Sequence, residues 1–133
     1  MKILMIDHNG LQLQTRKMLL EEEIEGVIDT ATTLGEIYLV FKKGAYDLVI
    51  IDHVIENGQQ CIDHILDVVP MQPILVVSNA IHCVITRCED CVNQHSIRRL
   101  NNPTPIRNIA RMVKGFKDYT CDHYDEETNK IHF

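Results

Sequence analysis

The sequence has little glycine and proline, no long apolar run and no excess of positive charge. Only 6 of its 133 residues are Gly and 4 are Pro, against 45% hydrophobic residues, which excludes fibrous and disordered classes and predicts a packed core. The formal net charge of -6 argues against nucleic-acid binding by the domain as a whole, because such domains are normally basic. No apolar run approaches the ~20 residues that span a bilayer. We therefore expect neither a membrane nor a direct nucleic-acid partner.

The N-terminal sequence MKILMIDHNG lacks the long apolar segment and cleavage site of a secretory signal, since Asp7 interrupts it. We therefore expect a cytoplasmic protein, in which cysteines are thiols or metal ligands rather than disulfides. The five cysteines are Cys61, Cys83, Cys88, Cys91 and Cys121. The length suits one domain, and we place it at residues 1–118, followed by a C-terminal tail at 119–133.

Short, continuous apolar runs alternate with segments of helical period. The apolar runs occupy residues 2–7, 26–28, 48–52 and 74–78, with a weaker run at 96–100. Because they are β-branched and show no polar alternation, they are typical of parallel strands covered on both faces. Helical spacing predicts helices over residues 10–23, 33–43, 59–68 and 80–93, and a last helix from Pro105. Five β-α units in succession predict an α/β three-layer sandwich around a doubly wound, five-stranded parallel sheet.

Three local patterns give more detail about these helices. Leu11, Met18 and Leu19 share one face of the first helix, which predicts that this face packs inward. The spacing Thr33-x-x-Glu36 matches a capping box at the start of the second helix. Thr104, just before Pro105, is the candidate cap of the last helix.

Polar residues lie at the ends of four predicted strands. Asp7 and Asp52 end the first and third strands, Ser78 ends the fourth, and Asn101 follows the fifth. In open parallel sheets the ligand site lies beyond the carboxyl ends of the strands, at the switch point of the strand order. We therefore expect these side chains to converge on one crevice.

With these residues in this order, the chain resembles a receiver domain of two-component response regulators, the CheY-like family with a flavodoxin-like fold. The resemblance covers Lys2 to Lys117 and rests on the motifs KILMIDHN, TATTLGEI, AYDLVIID, PILVVSNA and NPTPIRNI. It implies a signalling switch rather than an enzyme, in which Asp52 accepts a phosphoryl group from a histidine kinase or phosphotransfer protein. It also implies that Asp7 helps to hold Mg²⁺, and that Ser78 contacts the phosphoryl group and couples it to the output surface.

The chain departs from the family pattern at several positions. His8 stands where the family usually has a second acid, Asn101 stands in place of its lysine, and Glu56 in place of its usual proline. The resemblance therefore implies an atypical site and a weak or altered Mg²⁺ site formed by Asp7, Asp52 and His8, since Mg²⁺ prefers oxygen ligands. An imidazole suits zinc better, although a surface role for His8 is the simpler interpretation.

Two functional alternatives remain open from the sequence. The first is a phosphorylation-independent pseudo-receiver that binds partners through its surface. Residues 97–117 contain six basic residues and no acid, and the receiver family often uses the surface of its fourth and fifth helices to bind effectors or a second copy of the chain. The basic residues are Arg98, Arg99, Arg107, Arg111, Lys114 and Lys117.

The second alternative is a metal or thiol sensor. It rests on the cluster His82-Cys83-x4-Cys88-x2-Cys91-x3-His95, with Cys121 and His123 further along the chain. On a helix, Cys88, Cys91 and His95 would share one face. The simpler interpretation is that Cys88 packs in the core as a small apolar residue.

Overall fold

The computed structural model describes residues 1–52, 58–78, 97–101, 105–115, 123–125 and 130–132, with backbone alone at residues 58, 59, 78, 98, 99 and 101 and in the last two ranges. Five strands form the main sheet: β1 (Lys2–Ile6), β2 (Val27–Ala31), β3 (Leu48–Asp52), β4 (Ile74–Ser78) and β5 (Ile97–Asn101). Four helices lie within the described ranges: α1 (Gly10–Glu23), α2 (Leu34–Val40), α3 (Gly58–Val68) and α4 (Ile106–Lys114). The helix predicted over residues 80–93 lies outside them.

All neighbouring strands of the main sheet are parallel, and their order is β2-β1-β3-β4-β5. The predicted five-stranded parallel sheet is therefore confirmed. Because the chain moves from β1 outward to β2 and then returns to β3, the strand order reverses between β1 and β3. This is the switch point at which open α/β sheets bind ligands.

Side-chain alternation along the strands divides the core into two halves, one on each face of the sheet. Leu4 and Ile6 of β1 belong to the half formed with α2 and α3, whereas Ile3 and Met5 belong to the half formed with α1 and α4. All five residues of β3 are buried. These observations confirm the three-layer sandwich, with burial of each large apolar side chain contributing about 1.5–3 kcal/mol.

Helix α1 packs through a different face from the one predicted. Leu13 and Leu20 are buried, whereas Leu11 and Met18 are 81% and 66% exposed and Leu19 is 41% exposed. The prediction of an inward Leu11-Met18-Leu19 face was therefore wrong. Both candidate faces repeat apolar residues every seven positions, so helical period alone does not distinguish them. The inward face also carries two polar residues that contact the rim of the sheet, as described below.

The helix starts are set by local hydrogen bonds. The Thr33 side chain accepts from the backbone N–H of Glu36 at 3.1 Å, so Thr33 is the N-cap of α2, as the capping-box spacing predicted. Helix α4 has Pro105 as its N-cap, not Thr104 as predicted, because proline fixes a φ of -62° that suits the extended residue before the helix. No helix within the described ranges is long and apolar enough to cross a membrane.

Two further short strands, β6 (His123–Asp125) and β7 (Lys130–His132), pair antiparallel within the predicted tail. The boundary between domain and tail at residues 118 and 119 stays a prediction.

Candidate functional site

Two carboxylates lie side by side at the switch point. Asp52 is the last residue of β3 and Asp7 directly follows β1, whose register pairs Ile6 with Ile51. The side chains are 2% exposed for Asp7 and 6% exposed for Asp52. Asp52 lies on the same face of β3 as Leu48 and Ile50, which pack on the α1 side of the sheet. The structure thus brings together the two acids that the sequence placed at one rim.

The segment between β1 and α1 holds Asp7 in place. The backbone N–H of Asn9 donates to Asp7 Oδ1 at 2.9 Å, while the Asp7 N–H donates to the Ala31 carbonyl at 3.2 Å. The Asn9 side chain in turn accepts from the Gln12 N–H at 3.0 Å and caps α1. One short polar segment therefore fixes both the first carboxylate and the start of the helix that faces it.

Gln12 and Arg16 of α1 bridge the two carboxylates. Gln12 Nε2 donates to Asp7 Oδ2 at 2.8 Å and to Asp52 Oδ2 at 3.4 Å. Arg16 Nη1 lies 3.5 Å from Asp7 Oδ2 and 3.7 Å from Asp52 Oδ2. Because residues four apart share a helix face, both side chains reach the same pair of oxygens. Together, Asp7, Asp52 and Arg16 carry a formal charge of -1.

Sequence reasoning missed Gln12 and Arg16. The available signal was their spacing: two polar residues one turn apart, on a helix that begins just after an acid ending a strand. They also share the inward face with Leu13 and Leu20, where an unpaired polar group would be costly. A search for donors facing the two acids would have found them.

His8 lies at the edge of this site. Its side chain is 56% exposed, and its Nδ1 is 3.5 Å from Asp7 Oδ1. Among the residues that the structure describes, no three His, Cys, Asp or Glu side chains come together as a group able to hold a metal ion. The predicted ligand set of Asp7, Asp52 and His8 therefore does not form such a group there.

The donors around the acids do not suit Mg²⁺, the cation implied by the resemblance. Both oxygens of Asp7 accept N–H groups, Oδ1 from Asn9 and Oδ2 from Gln12. The guanidinium of Arg16 lies within 4 Å of both carboxylates. An ion that needs octahedral oxygen ligands would have to displace these N–H groups and sit beside a positive charge.

The backbones of Ser78 and Asn101 reach the same rim. They are the last residues of β4 and β5 and are paired in register. Asp52 pairs with Val77, so Ser78 lies one position further along β4. The side-chain roles of Ser78 and Asn101 stay predictions. Glu56 and the histidine and cysteine cluster of residues 82–95 fall outside the described residues.

Two buried titratable groups lie elsewhere in the core. Burial and a 2.8 Å hydrogen bond from the phenol to Asp29 raise the pKa of Tyr46 to about 12. Burial also raises the pKa of the Cys61 thiol, which is fully buried. Cys61 is therefore held as an unreactive thiol.

The C-terminal helix presents a basic surface. Arg107, Arg111 and Lys114 of α4 are all exposed, while Ile109 and Val113 on its other face are buried. The helix thus carries these three positive charges on the side away from the core.

Comparison with known proteins identifies the fold. No protein-family model matches the chain, and no curated protein matches it. The non-phosphorylated HemR receiver domain from Leptospira biflexa superposes with a TM-score of 0.75 at 18% identity, over 92% of this chain and 98% of that one. A response regulator receiver domain protein from Clostridium thermocellum gives a TM-score of 0.74 at 20% identity, over 88% and 94%.

A third similar structure is described as an adenylate cyclase from Rhodopirellula baltica, with a TM-score of 0.71 at 20% identity over 87% and 86% of the two chains. Likeness at these identities establishes the fold and not the activity. The chain has the CheY-like receiver fold, as its sequence motifs predicted.

Proposed function

We propose that this receiver-fold domain is a signalling switch of a two-component pathway, in which Asp52 accepts a phosphoryl group from a phosphohistidine. The donor would be a histidine kinase or a phosphotransfer protein. The observation that carries the proposal is the Asp52 carboxylate at the switch-point end of the central strand, next to Asp7 and faced by two N–H donors from α1.

In the proposed transfer, a carboxylate oxygen of Asp52 forms a P–O bond while the P–N bond of the phosphohistidine breaks. The imidazole leaving group takes up a proton, and later attack by water on phosphorus releases inorganic phosphate and restores the carboxylate. Phosphoryl transfer needs positioning and positive charge more than covalent chemistry. Gln12 and Arg16 are suited to donate to the phosphoryl oxygens, and Ser78 is proposed as the hydroxyl that couples their arrival to the surface.

The test is to incubate the domain with acetyl phosphate or with beryllofluoride, with and without Mg²⁺, and to look for an adduct by mass spectrometry or fluorine NMR. We expect an adduct in the wild type and none in Asp52→Asn. The matched control is Asp67→Asn, which removes an exposed acid of α3 and should leave the adduct intact. Absence of any adduct in the wild type under both conditions would defeat the proposal.

The exposed basic face of α4 supports a second candidate, a pseudo-receiver that binds an acidic partner without phosphorylation. Affinity for such a partner should persist in Asp52→Asn, weaken with added salt and fall in Arg111→Glu. Lys43→Glu reverses an exposed charge elsewhere and should have no effect. Loss of binding in Asp52→Asn would exclude this candidate.

A further inference from the structure

Among the residues that the structure describes, Arg16 brings a positive charge within 4 Å of both acids. Arg16 Nη1 lies 3.5 Å and 3.7 Å from one oxygen of each acid, and its side chain is only 20% exposed. At such distances, partly shielded from water, charges interact far more strongly than on an open surface. The guanidinium is therefore a strong electrostatic partner of both carboxylates.

The position of Arg16 is fixed by the fold. Leu13 and Leu20 bury the same face of α1, and Asn9 sets where the helix begins. Gln12, one turn earlier, donates to the same two oxygens at 2.8 Å and 3.4 Å. The guanidinium thus stands between the acids because α1 packs on the sheet with this face inward.

We propose that Arg16, assisted by Gln12, is the resident cation of this site and that the two carboxylates are held together without a divalent metal. A metal ion placed between Asp7 and Asp52 would meet a like charge within 4 Å and would have to displace N–H groups from its ligands. The proposal concerns how the acids are neutralised. It rests on the proposed function only for its last readout, the adduct.

Metal dependence of folding tests the proposal directly. The thermal midpoint of the wild type should be the same in EDTA as in millimolar MgCl₂, since a ligand raises stability only when it binds the folded state. Arg16→Gln should unfold at a lower temperature in EDTA and regain stability when MgCl₂ is added. Lys17→Gln removes a neighbouring cation that, within the described part of the chain, does not contact the acids, and it should behave as the wild type.

Calorimetric titration with MnCl₂ gives a second measurement. The wild type should bind at least about tenfold more weakly than Arg16→Gln, because the variant removes a like charge from the site. Stabilisation of the wild type by Mg²⁺ to the same degree as Arg16→Gln would overturn the proposal. An Arg16→Gln variant indistinguishable from Lys17→Gln would also overturn it.

If Arg16→Gln does not fold, Arg16→Lys keeps the charge and should unfold at the same temperature in EDTA and in MgCl₂. In that case, stoichiometric binding of Mn²⁺ by the wild-type protein would by itself overturn the proposal. The adduct separates the two proposals: beryllofluoride should label Asp52 in EDTA as well as in Mg²⁺. If Asp52 is labelled neither in EDTA nor in Mg²⁺, the phosphoacceptor function is wrong. If it is labelled only in Mg²⁺, that function stands and the proposal that Arg16 is the resident cation is wrong.

Discussion

Removing the charge of Arg16 should destabilise the fold, because Asp7 and Asp52 lose a cation that lies within 4 Å of both. At 3.5–3.7 Å and an effective dielectric constant near 20, each attraction amounts to about 4–5 kcal/mol before desolvation. The cost of taking the charged groups out of water offsets most of this gain. Because the Arg16 side chain is 20% exposed, solvent also weakens the attraction more than it would for a fully buried pair. We therefore expect Arg16→Gln to lower the free energy of unfolding by about 2–3 kcal/mol.

The sign of a double substitution makes this prediction specific. Without Arg16, the charges of Asp7 and Asp52 repel each other, and Asp7→Asn removes that repulsion. Arg16→Gln/Asp7→Asn should therefore be about 1 kcal/mol more stable than Arg16→Gln alone, although Asp7→Asn by itself costs stability.

Urea unfolding followed by circular dichroism measures these differences, and equal m-values show that the same surface is exposed in each variant. Lys17→Gln serves as the control and should stay within about 0.5 kcal/mol of the wild type. The reasoning fails if Arg16→Gln costs no more than Lys17→Gln. It also fails if the second substitution adds to the loss instead of recovering part of it.

Three further predictions concern the scaffold. Gly26→Ala places a Cβ 2.5 Å from the carbonyl oxygen of Met1 at a φ of +157°, so we expect a loss of about 1–3 kcal/mol in urea unfolding. Gly10→Ala meets nothing within 4 Å and should change little, so equal losses would contradict this account. Thr33→Ala removes the N-cap acceptor of α2 and should cost about 1 kcal/mol by the same assay, while no loss would mean that the cap contributes nothing. Tyr46 keeps its proton in the folded state up to a pKa of about 12, compared with an ordinary value of 10.0, so its contribution to stability is complete below pH 10 and is lost as the pH rises to about 12. The thermal midpoint should therefore fall less steeply between pH 10 and about 12 in Tyr46→Phe than in the wild type. The same pH profile in both proteins would show that Tyr46 is not the group responsible.

Much of the fold was predictable because most of its strands are continuous apolar runs that can be recognised in the sequence. The runs ending in Asp52 and Ser78 match β3 and β4 residue for residue, since strands covered on both faces are continuously apolar. That Asp7 and Asp52 lie close together was also predictable, because the ends of neighbouring parallel strands at a switch point lie on the same rim of the sheet. Strand ends without such runs shifted: β2 begins at Val27 and extends to Ala31, and β5 lies one residue later than predicted.

The orientation of α1 was not predictable from period alone. Leu11 and Met18 are spaced as regularly as Leu13 and Leu20, so each pair predicts an inward face. The choice is made by tertiary contacts, because only one of the two faces also carries Arg16 toward the acids at the rim. The contacts of Gln12 and Arg16 with the two acids therefore distinguish this face from an otherwise equivalent apolar face.

The central position of β3 has a consequence for how any signal leaves this domain. Val49, Ile50 and Ile51 are hydrogen-bonded to strands on both sides and are buried on both faces, so their amides should exchange with deuterium only when the entire domain unfolds. Asp52 is the last residue of this strand and is paired with Val77 of β4. In the proposed switch, a phosphoryl group on Asp52 would therefore act on the surface through neighbouring side chains and connecting segments, while β3 itself stays in place.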